Sequence, residues 1–273
     1  MTIEAGFLES NGGRIYYEVE GSGEPVVLIH AGVANLRMWD DQVAALRDRY
    51  RLIRYDTRGF GRTETDAVEF SNRADVAALL DHLGEGSAHL VGFSRAGSIA
   101  LDFALEYPDR VRSLVVGAGG ISGYESPEES PADTWELPDK LMEAKDWEAL
   151  AEWEAAYWAD GPGQPPGRSG AARDKVHDWE LENYRAEKEE GKPIVLDPPA
   201  AGRLGDLKPP LLVLLGTFDE PGTSESMHHL AETVPGARLE VFETAHMINL
   251  ERPERFNALL SEWLASVRPP VPG

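Results

Sequence analysis

The sequence predicts an α/β fold, a mostly parallel, doubly wound sheet with an inserted α-helical cap. Short apolar runs, such as residues 25–30 and 209–216, alternate with stretches of helical character. This alternation stops between residues 121 and 208 and then resumes. Strands that alternate with helices form parallel sheets covered on both faces, because each crossover helix packs back onto the sheet. We therefore expect an α/β core at 1–120 and 209–273, with 121–208 as a helical cap, or lid.

The elements of the core follow from hydrophobic patterns and from helix start and stop residues. An alternating run at 14–21 predicts an exposed early strand, whereas nearly continuous apolar runs predict buried strands. A helix is expected over 71–84, because Ser71 can cap its start and Gly84 can end it. The other expected elements are buried strands at 25–30 and 209–216, further strands at 51–56, 88–93, 111–118 and 237–243, and helices at 38–50, 95–108, 224–235 and 253–267.

The 121–208 segment differs from the core in composition. It holds 21 Asp and Glu residues against 10 Lys and Arg residues, so about half of the chain's net charge of −22 lies there. Two helices are expected, at 139–161 and 169–191, separated by a linker rich in Pro and Gly. The segment is also rich in aromatic residues, which predicts packing beneath the cap and an apolar pocket lined by one or two of them.

Charge and composition exclude several functional classes. The net charge of −22 disfavours nucleic acid or an anionic membrane as a partner. The absence of cysteine removes disulfides, thiolate catalysis and cysteine metal sites. The N-terminus lacks the features of a signal peptide, and no apolar run reaches the length of a membrane span. We expect a cytoplasmic protein that acts on a small molecule with an apolar acyl or aromatic part.

The stretch VGFSRAGS places Ser94 between the strand at 88–93 and the helix at 95–108. In parallel sheets, ligands bind beyond the carboxyl ends of the strands. Gly92 and Ala96 are the small residues that a sharp strand-to-helix turn requires, and such a turn would expose the Ser94 hydroxyl. The pattern is short and also fits a harmless small-residue loop. A catalytic interpretation therefore needs a base and an acid at other strand ends.

His246 is the candidate base among the seven histidines. It follows the last expected strand and precedes the last helix, so its loop lies at the same edge of the sheet as Ser94. Five of the others lie in helices or near a strand start, and His30 ends a strand. Asp219, after the strand at 209–216, is the candidate orienting acid, with Glu220 as the alternative. If it is not catalytic, Asp219 is a turn-forming residue shortly before Pro221 and Gly222.

Four elements, together with the serine stretch, resemble the α/β-hydrolase family, over about residues 7 to 267. HAG at 30–32 resembles the family's oxyanion loop, and DTRGFGRT at 56–63 is similar to its Asp-x-Arg-Gly-x-Gly turn. The serine stretch and the loops GTFD and TAHMINLERP are similar to its nucleophile, acid and histidine loops. The resemblance implies the α/β-hydrolase fold with a helical cap, and an enzyme that needs no cofactor and no metal.

The resemblance also implies a role for each matching residue. Ser94 would be the nucleophile, His246 the base and Asp219 the acid that orients it. The backbone N–H groups of Gly32 and Arg95 would form the oxyanion hole, with Val33 as a substitute donor if the loop is shifted. His30 would anchor its loop, and Arg58, Gly59 and Gly61 would hold a turn. The candidate substrate-binding residues are Val33, Trp153, Tyr157 and Met247.

Two residues depart from the family pattern. Ala96 stands where the family usually has glycine, and Arg95 follows the nucleophile where an uncharged residue is usual. Arg95 would either pair with a substrate carboxylate or fold back onto Asp56, Glu106 or an acid of the cap. We favour the second interpretation, because a buried arginine usually has a partner within the protein.

The resulting hypothesis is a serine hydrolase that cleaves a carboxylic ester or lactone through an acyl-enzyme on Ser94. A C–C bond hydrolase, a thioesterase or a perhydrolase would use the same three residues. A ligand receptor with slow turnover would also keep them. A serine rather than an aspartate nucleophile disfavours the haloalkane dehalogenase and epoxide hydrolase branches.

Overall fold

A computed structural model of the protein describes residues 3–128 and 130–267. The strands in these ranges are β1 Glu4–Ser10, β2 Gly13–Glu20, β3 Glu24–Ile29, β4 Tyr50–Tyr55, β5 Glu64–Thr65, β6 Glu69–Phe70, β7 Ala88–Phe93, β8 Val111–Gly117, β9 Lys192–Pro193, β10 Leu211–Gly216 and β11 Arg238–Phe242. The helices are α1 Asp40–Leu46, α2 Asn72–His82, α3 Arg95–Glu106, α4 Glu136–Ala144, α5 Trp147–Glu154, α6 Ala171–Ala186, α7 Pro221–Thr233, α8 Ile248–Glu251 and α9 Pro253–Ser266.

The large sheet has the strand order β1-β2-β4-β3-β7-β8-β10-β11, with the short β5 beside β2. The pairs β1–β2 and β2–β4 are antiparallel, and the pairs from β4 to β11 are parallel. The predicted mostly parallel sheet is therefore confirmed. Strand β1 was not predicted, because it is an edge strand with little burial and a weak apolar pattern.

Helices cover both faces of this sheet, which confirms the doubly wound architecture. Alternate residues of each central strand point to opposite faces, so Val27 belongs to one apolar core and Leu28 to another. The first core includes residues of α2, α3 and α7. The second includes residues of α1 and α9. Both cores are needed because parallel strands bury both of their faces.

The expected single helix at 139–161 is wrong, because the structure divides it into three parts. Helix α4 ends at Ala144. The next residue, Lys145, has a left-handed φ of 54° and cannot continue the helix. Asp146 then caps α5 by accepting a hydrogen bond from the N–H of Ala149. A π-helical turn, Ala155–Asp160, follows α5 directly. The second expected helix, at 169–191, is shorter and corresponds to α6.

The 121–208 segment adds no strand to the large sheet within the described residues. Its strand β9 pairs with β6 over two residues. The division of the chain into a core and a cap stays a prediction. Among the residues described, no helix combines the length and apolar character needed to cross a membrane.

Candidate active site

Ser94, Asp219 and His246 all follow the carboxyl ends of neighbouring parallel strands. Ser94 follows β7 directly, Asp219 lies three residues after β10, and His246 lies four residues after β11. The strands β7, β8, β10 and β11 are consecutive in the sheet. Backbone hydrogen bonds connect these loops to the sheet and to each other. The N–H of Ser94 donates to the carbonyl oxygen of Gly117, and the N–H of Phe218 donates to the carbonyl oxygen of Thr244. The fold thus brings the three side chains to one edge.

The turn at Ser94 is sharp and strained. Ser94 has φ 56° and ψ −128°, a region that residues with a side chain rarely adopt. A Cβ on Gly92 would lie 2.2 Å from the carbonyl oxygen of Ala96, so only glycine fits there. Ala96 is fully buried, and its methyl group is accommodated in the apolar core. This geometry holds the Ser94 side chain at the wall of a cavity.

His246 and Asp219 form a buried hydrogen-bonded pair. Nδ1 of His246 donates to the Asp219 carboxylate, at 2.9 Å from Oδ1 and 3.1 Å from Oδ2. The backbone N–H of Glu220 also donates to Oδ1, at 2.8 Å. With the proton on Nδ1, the Nε2 atom of His246 is left as a hydrogen-bond acceptor. Glu220, the alternative acid, instead caps α7 through the N–H of Thr223.

The indole of Trp158 connects His246 with the cavity. The centroids of its ring and of the His246 imidazole are 4.6 Å apart, and Trp158 lines the same cavity as Ser94. No direct hydrogen bond joins Ser94 Oγ to His246 among the described residues. Such a bond is often long in an enzyme without its substrate and shortens in the substrate complex.

Two backbone N–H groups are available beside Ser94. Arg95 is the first residue of α3, where an N–H has no acceptor within the helix. Gly32 lies in the loop after β3 and lines the cavity together with Ser94. Neither N–H donates to an acceptor within the part of the chain that the structure describes. Both are therefore free to bind an oxyanion, and Val33 lines the cavity next to Gly32.

His30 holds the Gly32 loop without carrying a charge. Its Nδ1 donates to the carbonyl oxygen of Ala31 at 2.7 Å, and its Nε2 accepts from the N–H of Thr57 at 3.0 Å. Complete burial, together with the nearby Arg95 guanidinium, lowers the pKa of His30 to about 3. The imidazole is therefore neutral at physiological pH and connects the loop after β3 with the loop after β4.

We expect this buried His30 to make the protein sensitive to acid. Between pH 3 and pH 6.5 the unfolded histidine takes up a proton that the folded one does not. The stabilising effect is complete above pH 6.5 and is lost as the pH falls toward 3. Urea unfolding of the wild type and of His30→Asn should show their free-energy difference shrinking by about 2 kcal/mol from about pH 7 to pH 5.

Asp56 must be considered in the same experiment. Burial raises the pKa of Asp56 to about 6, so this group shifts stability in the opposite direction over part of the range. Because Asp56 is present in both proteins, the difference between them isolates His30. A free-energy difference that does not change with pH would contradict the neutral, buried assignment of His30.

Arg95 folds back onto the protein but forms no ion pair among the described residues, and the charge of Glu190, an acid of the 121–208 segment, acts on its guanidinium. Asp56 accepts from backbone N–H groups instead, and Glu106 pairs with Arg73. The Arg95 guanidinium donates to the Thr57 hydroxyl at 2.5 Å and lies 4.6 Å from the ring centroid of Phe60. Its Nε atom is buried and has no hydrogen-bond partner.

Arg58 has a structural environment. It is buried, donates to Asp75 at 2.8 and 2.9 Å, and binds the carbonyl oxygens of Ser10 and Asn11. Gly59 and Gly61 have φ values of 86° and 51°, which glycine tolerates best. The turn thus ties β1 and α2 to the loop after β4.

The cavity at Ser94 has a volume of about 730 Å³. Val33 is the one residue of the four substrate-binding candidates that lines it. Trp153 and Tyr157 instead stack on each other at 4.8 Å, and Met247 is fully buried in the second core. The sequence predicted that one or two aromatic residues of 121–208 line a pocket, and Trp147, Trp158 and Tyr184 do line this cavity. The sequence interpretation missed the other lining residues that 121–208 contributes: Met142, Lys145, Glu154, Glu180, Asn183, Glu187, Lys188 and Glu190.

Helical spacing was the signal that could have found several of these residues. Glu154 and Trp158 are four residues apart, and Glu180, Asn183 and Tyr184 are three and four residues apart, so each set shares one face of a helix. No group of three or more His, Asp or Glu side chains with the geometry of a metal site occurs among the described residues.

Comparisons with known proteins agree with this architecture. The family model for the alpha/beta hydrolase fold matches residues 24–145. A 2-hydroxy-6-oxononadienedioate/2-hydroxy-6-oxononatrienedioate hydrolase from Burkholderia vietnamiensis is 29% identical, over 92% of this chain and 91% of the relative. The 3-oxoadipate enol-lactonase 2 from Acinetobacter baylyi is 28% identical, over 82% of each chain.

Solved structures show the same fold. The enol-lactonase from Burkholderia xenovorans LB400 is 25% identical, with a TM-score of 0.74 over 95% of this chain and 99% of that one. A thermophilic esterase from Thermogutta terrifontis is 24% identical, with a TM-score of 0.76 over 98% of this chain and 100% of that one.

Proposed function

Because this chain has the α/β-hydrolase fold and its residues 24–145 match the family model of that fold, we propose that it is a serine hydrolase that cleaves a carboxylic ester or lactone. Ser94 is the nucleophile, His246 the general base and Asp219 the acid that orients the imidazole. The 121–208 segment acts as the cap over the site. In this proposal the substrate is a small molecule that enters the cavity at Ser94.

The observation that carries this proposal is the strained turn at Ser94, which holds the hydroxyl at the cavity wall. Strain of this kind persists only where the surrounding structure enforces it, and such positions cluster at active sites. The hydrogen bonds from His246 to Asp219 support the same assignment, since they leave Nε2 as the acceptor that a serine nucleophile needs.

The steps follow from these groups. Nε2 of His246 takes the proton of the Ser94 hydroxyl as Oγ attacks the carbonyl carbon of the substrate. The N–H groups of Gly32 and Arg95 stabilise the oxyanion. The imidazolium then protonates the leaving alcohol, or the ring oxygen of a lactone, and an acyl-enzyme remains. His246 next activates a water molecule, which hydrolyses the acyl-enzyme and regenerates Ser94.

C–C bond hydrolysis is the second candidate, and a specific observation favours it. Several relatives that cover about nine-tenths of this chain are named as hydrolases of 2-hydroxy-6-oxo dienoates. Such a reaction would use the same nucleophile, base and oxyanion hole, with a carbanion instead of an alkoxide as the leaving group. Turnover of a vinylogous diketone without turnover of esters would favour this alternative.

Covalent labelling tests the proposed nucleophile. A fluorophosphonate probe should label the wild type at Ser94, and p-nitrophenyl acetate should give a burst of p-nitrophenol from rapid acylation. Ser98→Ala is the matched control, because Ser98 lies one helical turn away and donates to the carbonyl oxygen of Arg95. This variant should still be labelled. Wild-type protein that reacts with neither reagent would contradict the proposal.

A further inference from the structure

One end of the cavity combines carboxyl groups with aromatic rings, and we call it the acidic pocket. Glu154 accepts hydrogen bonds from the indole N–H of Trp158 and, at 3.3 Å, from the Tyr184 hydroxyl. Glu180 is close enough to Glu154 to interact with its charge. The six residues of the acidic pocket all line the cavity: Trp147, Glu154, Trp158, Glu180, Asn183 and Tyr184.

Neither carboxyl group of this pocket forms an ion pair within the described residues. Glu180 is only 4% exposed, and it forms no hydrogen bond of normal geometry there. Glu154 accepts hydrogen bonds from neutral donors, and a positive charge on His246 also acts on it. By contrast, Glu187, at the same cavity, pairs with Lys145 at 2.5 Å.

The cations that line the cavity are used elsewhere. Lys145 pairs with Glu187, and Lys188 donates to the backbone carbonyl oxygens of Gly61 and Thr63. Neither lysine is within ion-pair distance of Glu180 or Glu154. The pocket therefore holds a buried acid, Glu180, and a half-buried one, Glu154, and neither is in an ion pair. A buried carboxylate without such compensation is costly.

The ionisation of these acids reflects this cost. Burial, followed by the charge of Glu154, raises the pKa of Glu180 well above its usual value. Burial also raises the pKa of Glu154, although the hydrogen bonds from Trp158 and Tyr184 and the charge of His246 oppose the shift. The side chain of Asn183 opposes the shift of the Glu180 pKa, although its Nδ2 makes no hydrogen bond of normal geometry. The protein thus gives Glu180 only a weak, neutral donor.

The aromatic walls suit a cation. The rings of Trp147 and Tyr184 are nearly parallel, with centroids 5.5 Å apart and an interplanar angle of 14°. Lys145 Nζ lies 5.9 Å from the Trp147 ring, so this ring already has one ammonium group nearby. Indole and phenol rings attract ammonium groups through the negative potential of their faces. The net charge of −22 attracts cations to the protein over longer distances.

We propose that the acidic pocket binds a positively charged amine group, an alkylammonium, on the substrate that Ser94 cleaves. An ammonium group in this pocket would favour the ionised forms of Glu180 and Glu154, which then supply the negative charge, and Trp147, Trp158 and Tyr184 supply the aromatic surface. This inference rests on the proposed function, since it identifies the class of ester or lactone that enters the cavity. Binding of the ammonium group provides the neutralising charge that the protein lacks.

Three esters that differ only in their terminal group test this proposal, and two of these groups, trimethylammonium and tert-butyl, have the same shape. They are p-nitrophenyl alkanoates whose terminal carbon carries a trimethylammonium, a tert-butyl or a carboxylate group, made over a short series of chain lengths. The wild type should prefer the trimethylammonium ester by kcat/KM. In Glu180→Gln the ratio of kcat/KM between the trimethylammonium and tert-butyl esters should fall about thirtyfold, the factor that corresponds to about 2 kcal/mol.

Glu182→Gln is the matched control, because Glu182 is exposed on the same helix, α6, and does not line this cavity. It removes the same charge and should leave the ratio unchanged. Glu154→Gln provides a second variant if Glu180→Gln does not fold. A wild type that cleaves the tert-butyl or carboxylate ester as well as the cationic one would overturn the inference but not the proposed function.

A binding measurement separates the two proposals further. Hexyltrimethylammonium should quench the fluorescence of Trp147 and Trp158 in Ser94→Ala, a variant without the nucleophile. It should bind more weakly to Ser94→Ala/Glu180→Gln. Binding without any esterase activity of the wild type would support the pocket and contradict the proposed function. No binding to Ser94→Ala would overturn the pocket.

Discussion

Replacing Ser94 by alanine is expected to lower kcat/KM for esters about ten-thousandfold or more, while the protein remains folded. The reason is that no other group can form the acyl-enzyme, whereas the oxyanion donors and the cavity are retained. Alanine also keeps the Cβ atom, so the strained φ of 56° is unchanged and the free energy of unfolding should stay within about 0.5 kcal/mol of the wild type. Steady-state kinetics and thermal unfolding measure the two effects.

Ser94→Gly is the informative comparison. Glycine tolerates positive φ, so this variant should be equally inactive but about 1 kcal/mol more stable than Ser94→Ala. That difference would show that the turn stores strain at the position of the nucleophile. Substantial residual activity of either variant would indicate that Ser94 is not the nucleophile.

Replacing Gly92 by valine should have the largest effect on stability. A Cβ at this position would lie 2.2 Å from the carbonyl oxygen of Ala96 and 2.7 Å from its carbonyl carbon. Both atoms belong to the backbone of α3, which cannot move away without breaking the turn. We expect a loss of about 3 kcal/mol or more, and a decrease in Tm of roughly 10 °C. Differential scanning calorimetry provides the measurement.

Gly120→Ala is the control for this substitution. Gly120 follows β8 at the same edge of the sheet, and the nearest atom to an added Cβ there would be the Ser98 hydroxyl oxygen, at 3.8 Å. Its Tm should remain close to that of the wild type. If Gly92→Val were as stable as Gly120→Ala, the close approach of strand and helix at Ser94 would be contradicted.

Much of the fold could be predicted because its signals are local. Strand β7 corresponds to the predicted run at 88–93, and α2 starts after the predicted cap residue Ser71. Apolar runs, capping residues and small residues at a tight turn each act through neighbouring atoms. The edge strand β1 was missed because it buries little, so few of its side chains need to be apolar.

The details of 121–208 were less predictable. The left-handed Lys145 and the capping Asp146 divide the expected helix, and this division changes which side chains face the cavity. Trp153 and Tyr157 stack on each other, whereas Trp158 turns toward His246. An amphipathic pattern shows that a helix has an apolar face but not which partner that face meets.

Arg95 illustrates the same limit for a single residue. The sequence shows an arginine beside the nucleophile, and general experience predicts an acidic partner for it. The structure instead gives it the Thr57 hydroxyl and the face of Phe60, two groups that come from the loop after β4. No property of the residues next to Arg95 in the chain indicates that loop.

The sequence by itself determined the class of fold, the tight turn at Ser94 and the order in which Ser94, Asp219 and His246 follow their strands. These features depend on short-range sterics and on the rule that parallel strands end at one edge. Only the tertiary structure decided that Glu154, Glu180 and their aromatic neighbours face the same cavity as Ser94. The side chains of that cavity come from segments far apart in the chain, and their meeting depends on how the helices are broken, rotated and packed.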